Sequence, residues 1–174
     1  MPHPTDTIWQ SCEQWASPQR ELLYDTVINL KAQTVLEIGT NIGDSTRILS
    51  AALRETGGQL YSLDNEGVRE AWPERWDCTN ITFLRGDSTS YTWEKELDLL
   101  LVDGDHKYET ALSDLNRFAP WVRQGGQVVV HDTVLFEPVR RALHEWSVLV
   151  QLTYTQHPQG VGLAIVPMEK SLPR

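Results

Sequence analysis

Short apolar runs alternating with longer segments of helical period predict a single α/β domain built on a mostly parallel sheet. The runs end in acidic or glycine-rich turns, as strands do where an open sheet binds ligands at its carboxyl edge. The last two runs have no helix between them, which predicts an antiparallel hairpin at one edge. A chain of 174 residues is one domain's worth, enough to bury a substantial core.

Ser17-Pro18 supplies an N-cap and a first-turn proline, and Leu22, Leu23, Thr26, Val27 and Leu30 mark one face of a helix running to about Ala32. Thr34–Ile38 is the first strand. A helix over Asp44–Thr56 follows, with Ile48, Leu49, Ala52 and Leu53 on one side and Gly57-Gly58 as its stop. Residues 60–63 form strand two, 68–76 a short helix cut by Pro73, and 81–84 strand three before the turn at Gly86-Asp87. Leu97–Val102 is a nearly continuous apolar run, as a strand buried on both faces requires. The crossover helix is expected over 108–123, kinked near Pro120 and ended by Gly125-Gly126, with 128–130 as strand five. A helix over 137–146 opens near Pro138, and 148–154 and 161–166 form the hairpin strands. That makes seven strands. Residues 1–16 form an N-terminal arm or flap, and the polar tail 168–174 is expected to be loosely ordered.

A net charge of −9 with no Lys/Arg-rich stripe argues against a nucleic-acid partner. Residues 1–7 are polar and no apolar run approaches the length of a membrane span, so the expectation is a cytoplasmic protein without a membrane partner. Cys12 and Cys78 lie in no C-x-x-C or Cys/His cluster, which fits a reducing compartment. Of seven tryptophans, Trp121 and Trp146 sit at helical core spacings. Trp9, Cys12 and Trp15 fall at i, i+3 and i+6, the pattern of an apolar flap over a substrate mouth or of a helix that packs on the domain or forms a homodimer.

The segment Glu37-Ile38-Gly39-Thr40-Asn41-Ile42-Gly43 runs from strand through glycine turn into helix. Its glycines allow close backbone approach, and the helix N-terminus offers unpaired N–H groups to an anionic end, which indicates a nucleotide-like cofactor. The spacing is Gly-x-x-x-Gly, lacking the central glycine that a dinucleotide pyrophosphate requires, so NAD is disfavoured. Asp64 ends strand two where an acid can accept from both ribose hydroxyls. Glu37, Asp64, Asp87 and Asp103 place an acid at four successive strand ends. Asp103-Gly104-Asp105-His106 and His131-Asp132 end neighbouring strands and converge on one small volume. Successive strand residues point to opposite faces, so His131 and Asp132 reach one point only if the chain turns between them.

These residues resemble the class I S-adenosylmethionine-dependent methyltransferases, from about Ser17 to Val166. Within the class, Val102-Asp103-Gly104-Asp105-His106-Lys107-Tyr108-Glu109 followed by Gly125-Gly126 and His131-Asp132 is most similar to the small O-methyltransferase-like group related to the catechol and caffeoyl-CoA enzymes. The resemblance implies a Rossmann-like methyltransferase fold and S-adenosylmethionine-dependent O-methylation of a small hydroxylated molecule. It implies that Gly39, Thr40, Asn41 and Gly43 cradle the methionine part of the cofactor beside Glu37, that Ser45 holds its carboxylate, Asp64 its ribose, and Asp87 with Ser88 its adenine, with Asp103 at the cofactor edge. Asp103 and Asp132, with His131 less favoured, become candidate ligands for a divalent cation, Mg or Mn.

Two departures stand out: His131-Asp132 replaces an Asp-Asn pair, and His106 stands where catechol-type enzymes carry a lysine base. Imidazole suits Mn, Fe, Ni or Zn better than Mg, and a neutral imidazole can take a proton from a substrate hydroxyl. The rival readings are an NAD(P)-linked Rossmann oxidoreductase and a non-catalytic S-adenosylmethionine-binding domain.

Overall fold

The computed structural model describes residues 15, 17–66 and 78–174. Helix α1 (Ser17–Leu30) leads into β1 (Thr34–Ile38), α2 (Asp44–Thr56), β2 (Gln59–Asp64), β3 (Ile81–Arg85) and β4 (Leu97–Val102). Then follow α3 (Tyr108–Phe118), a 3-10 turn (Ala119–Trp121), β5 (Val122–His131), α4 (Glu137–Val150), β6 (Thr155–His157) and β7 (Leu163–Pro167). The seven strands form one sheet in the order β3-β2-β1-β4-β5-β7-β6. Strands β1 to β5 pair in parallel, and β7 runs antiparallel between β5 and β6. The chain leaves β1 toward β2 on one side and returns through β4 on the other, which opens a crevice at the carboxyl ends between β1 and β4.

Alternation along the strands divides the core between the two faces of the sheet. Leu36, Ile38, Leu100, Val102, Val128 and Val130 pack with Leu115, Phe118, Leu143 and Trp146 of α3 and α4. Val35, Leu99, Leu101 and Val129 pack with Leu23, Val27, Ile48 and Leu49 of α1 and α2. Each fully buried Leu or Val contributes about 1.5–3 kcal/mol of transfer free energy. Asp98 interrupts the apolar run of β4 far from the crevice, where its carboxylate accepts the N–H groups of Gln33 and Thr34 at 2.7 and 2.9 Å and Arg123 Nε at 2.6 Å.

The structure corrects the chain's second half. Helix α3 ends at Phe118 rather than Arg123, because Pro120 breaks it into a 3-10 turn and the strand starts at once. Gly125-Gly126 therefore lies inside β5, at a register irregularity opposite Leu97 and Leu99. A Cβ on Gly126 would stand 2.6 Å from Asp98 O, so the backbones meet too closely there for any side chain.

The run at 148–150 belongs to α4, not to a strand. Val139, Ala142, Leu143, Trp146 and Ser147 are buried at helical spacing, and partly buried Val150 continues that face. Val148 and Leu149 face outward, and the helix stops at Gln151, whose φ is 55°. The hairpin's outer strand is instead Thr155–His157, wholly beyond the expected 148–154. The expected loosely ordered tail also packs: Met168 and Leu172 are buried in the core. Trp146 is buried as expected, whereas Trp121 is partly buried with the Arg174 guanidinium over its ring at 4.4 Å. The short helix at 68–76, with Trp72 and Trp76, and the arm residues Trp9 and Cys12 lie outside the described residues.

Candidate active site

A cavity of ≈ 1170 Å³ opens at the carboxyl ends of β1 to β5. Its first wall is the β1–α2 turn, with Gly39, Thr40, Asn41, Gly43 and Ser45. Gly39 (φ 96°) and Gly43 (φ 84°) are left-handed, and a Cβ on Gly39 would stand 2.0 Å from Asp103 O. The turn can therefore lie against the β4 end only because this residue has no side chain. Gly39 N–H bonds to Leu63 O and Asp103 N–H to Ile38 O, tying the three strand ends together. Gly43, Asp44 and Ser45, at the start of α2, line the same cavity, and a helix N-terminus suits an anionic group such as a carboxylate.

Asp64 stands beside this turn. One carboxylate oxygen accepts Thr40 N–H and Asn41 N–H at 2.9 and 3.0 Å, and the other accepts Glu66 N–H at 2.8 Å. Three N–H donors do not exhaust the acceptor capacity of a carboxylate's two oxygens, and Asp64 lines the cavity. Asp87 and Ser88 form the next wall. Asp87 Oδ1 accepts the N–H and the hydroxyl of Thr89 at 2.9 and 2.7 Å, which holds the carboxyl below its usual range. Arg117 of α3 fixes the same loop by donating to Ser88 O and Tyr91 O.

Glu37 does not line the cavity, contrary to the sequence expectation that grouped it with the cofactor contacts. It is fully buried beneath the turn, where its Oε2 accepts the Thr46 and Ser62 hydroxyls at 2.6 and 2.5 Å. Burial pushes its carboxyl up to about 7, against the hydroxyls of Ser45, Ser62 and Thr46, which pull it down. Glu37 is joined to the cavity wall through a hydroxyl network. Thr40 Oγ1 joins that network through Ser62 at 2.6 Å.

At the other end of the cavity Asp103, His131 and Asp132 offer ligand atoms within 4.8 Å of one another. Register explains the meeting: Val102 pairs with Val130, so the next residues of β4 and β5 emerge side by side. Asp132 takes φ 62°, the turn needed to bring its side chain to the same side as that of His131. His131 Nδ1 lies 2.8 Å from Asp103 Oδ1 and 3.6 Å from Asp132 Oδ2. Burial alone would lower the His131 pKa, but the charge and hydrogen bond of Asp103, with the charge of Asp132, raise it. Burial, aided by the charge of Asp103, raises that of Asp132.

His106 also reaches this cluster, with Nε2 at 2.6 Å from Asp132 Oδ2. Asp105 turns aside, bound to Lys107 Nζ at 2.8 Å and the Thr110 hydroxyl at 3.2 Å. Two aromatic contacts had no clear signal in the sequence. Phe136 stacks on His106 at 3.8 Å between centroids, and Trp15 stacks on His131 at 3.9 Å with 5° between planes. Trp15 was legible only as one member of an apolar flap pattern, and Phe136 as the residue before a helix. Asp114 was also missed: it is buried on α3 next to the Ser88 loop, and burial pushes its carboxyl up to about 6.

A sheet that reverses its order at this crevice, with a glycine turn, an acid ending β2 and a polar cluster between β4 and β5, defines a domain of the adenosyl-cofactor type. A family profile described as a methyltransferase domain matches residues 36–133, more than half of the chain, and the protein belongs to that family as an S-adenosylmethionine-dependent methyltransferase. That assignment sets aside the oxidoreductase alternative.

Solved structures share the fold. Cofactor-bound Rv0187 from MTB aligns with a TM-score of 0.74 at 19% identity, over 96% of this chain and 87% of that one. The SAH-bound methyltransferase PaMTH1 of Podospora anserina gives 0.69 at 17% identity, over 95% and 85%. TomG from Streptomyces achromogenes, an O-methyltransferase of tomaymycin synthesis in complex with SAM, gives 0.64 at 18%, over 95% and 86%. Among the described residues, no helix is long and apolar enough to cross a membrane.

Proposed function

We propose that the protein methylates an oxygen of a small hydroxylated molecule, with S-adenosylmethionine lying along the wall formed by the β1–α2 turn, Asp64 and the Asp87-Ser88 loop. The carrying observation is the 2.6 Å contact between His106 Nε2 and Asp132 Oδ2 at the end of the cavity opposite the adenine wall. With Nε2–H donated to Asp132, His106 Nδ1 is left as an acceptor for a substrate hydroxyl proton. Phe136 stacked on the imidazole fixes the plane of that base. The reaction itself is displacement at the sulfonium methyl carbon: the substrate oxygen forms the new C–O bond, the C–S bond breaks, and S-adenosylhomocysteine leaves. Such a step asks the protein chiefly to hold nucleophile and methyl group about 3 Å apart and in line.

The family likeness also brings a divalent cation into consideration. Two carboxylates and an imidazole converging within 4.8 Å are a suitable donor set, with Asp103, Asp132 and His131 as the holding residues. Such an ion, when bound, lowers the pKa of a substrate hydroxyl near it. His131, secondary in the sequence reading, shares the cluster on equal terms with Asp132.

Calorimetric titration with S-adenosylhomocysteine tests the cofactor assignment, and no heat of binding up to millimolar ligand overturns it. Turnover of S-adenosylmethionine against a panel of phenols, catechols and sugar hydroxyls tests the rest. Binding without turnover across that panel would favour the non-catalytic reading.

A further inference from the structure

His131 bears on the choice of ion, on the proposal that this cluster holds a divalent cation. The His131 ring is nine-tenths buried, and Trp15 covers one face in a nearly parallel stack. Its Nε2 is buried with no hydrogen-bond partner among the described residues. The engaged nitrogen is Nδ1, and it faces both Asp103 and Asp132. Stacking therefore sets the ring's orientation, and once Nδ1 gives up the proton it shares with Asp103 that orientation turns a nitrogen lone pair to the cluster. The positive φ of Asp132 keeps its carboxylate on the same side. An oxygen-only set would suit Mg²⁺, which demands octahedral oxygen coordination and gives up water reluctantly. An imidazole between two carboxylates favours borderline first-row metals, whose affinity for nitrogen donors climbs along the series from Mn²⁺ through Fe²⁺ and Co²⁺.

We infer that His131 makes this a site for a first-row transition-metal ion rather than for Mg²⁺, with Asp103, His131 and Asp132 as a two-carboxylate, one-imidazole ligand set. The donor chemistry carries the selectivity, and Trp15 holds the imidazole in place for it.

The experiment titrates the full-length protein, without cofactor, with MnCl2, CoCl2 and MgCl2 by calorimetry, and records electron spin echo modulation of the Mn²⁺-loaded protein. The expected result is binding of Mn²⁺ and Co²⁺ about a hundredfold or more tighter than Mg²⁺, together with a nitrogen-14 modulation from directly bound imidazole. His131→Asp should shrink the Mn²⁺ to Mg²⁺ ratio about tenfold or more and abolish the nitrogen signal. Mn²⁺ binding without that signal in the wild-type protein, or Mg²⁺ binding as tightly as Mn²⁺, overturns the inference while leaving a metal site in place. No binding of any of the three ions below millimolar overturns the metal site itself. The wild-type spectrum and affinity ratio decide the matter even if the variant fails to fold.

Discussion

His106 Nε2 and Asp132 Oδ2 lie 2.6 Å apart although 26 positions separate them in the chain, one on the loop after β4 and the other just beyond β5. The pair links the proposed base to the buried cluster and makes the base's orientation a property of the neighbouring strand.

Replacing His106 by Ala should lower kcat by about 10²- to 10⁴-fold, the usual range for a general base. Affinity for S-adenosylhomocysteine should stay within a factor of two or so, because His106 lies beyond the adenosyl wall. Single-turnover kinetics beside calorimetry separate the two quantities. Unchanged kcat would remove the base assignment.

Asp64→Ala should act on the other quantity. The carboxylate accepts Thr40 N–H and Asn41 N–H, and its proposed role is to accept the ribose hydroxyls. Hydrogen bonds to a charged group contribute about 1.5–3 kcal/mol each. Affinity for S-adenosylhomocysteine should fall by about tenfold to a hundredfold, with little change in kcat at saturating cofactor. A variant that binds like wild type would refute the ribose role.

Gly39→Ala is expected to cost several times a typical surface substitution. Its Cβ would stand 2.0 Å from Asp103 O at a residue with φ 96°, so either β1 or β4 must shift. A loss of about 3 kcal/mol or more follows from combined overlap and backbone strain. Urea denaturation measures it, and a change below about 1 kcal/mol would show that the turn is looser than its geometry implies.

Glu37 predicts a pH dependence of stability. Its folded pKa, raised to about 7 from 4.5, means that the folded state holds the proton more tightly than the unfolded chain does. Its contribution is therefore most favourable below pH 4.5 and is lost as pH rises toward 7. The full penalty above that is at most about 3 kcal/mol, from 1.36 kcal/mol for each pKa unit. Glu37→Gln, which carries no charge, should raise stability relative to wild type at pH 8, and the difference should vanish near pH 4. Chemical denaturation at both values checks it. A Gln variant less stable at pH 8 would mean that the ionised carboxylate's bonds to Thr46 and Ser62 outweigh its burial.

The first half of the chain was legible because its signals are local. Strand β1 and helix α2 fall where apolar period and glycine stops place them, and β4 shows itself as a nearly continuous apolar run. Misreadings gather where a local signal admits two outcomes. Val148-Leu149-Val150 is as apolar as a strand, but extending a formed helix by a turn adds a hydrogen bond per residue without a new nucleus. Gly125-Gly126 looks like a helix stop, yet serves the close passage of β5 over Asp98. The tail is polar enough to look loose, but Met168 and Leu172 find places in the core.

By itself the sequence determined the alternation of strands and helices, the glycine turn, and the acids Asp64, Asp87 and Asp103 at successive strand ends, because period and turn chemistry act between residues near in the chain. Tertiary structure alone decided that Glu37 lies beneath the cavity rather than on its wall, and that His131 and Asp132 share one cluster through the positive φ of Asp132. It also decided that Trp15 and Phe136 hold the two imidazoles. Those outcomes depend on strand register and on which side chains meet across the crevice, and packing between distant segments sets both.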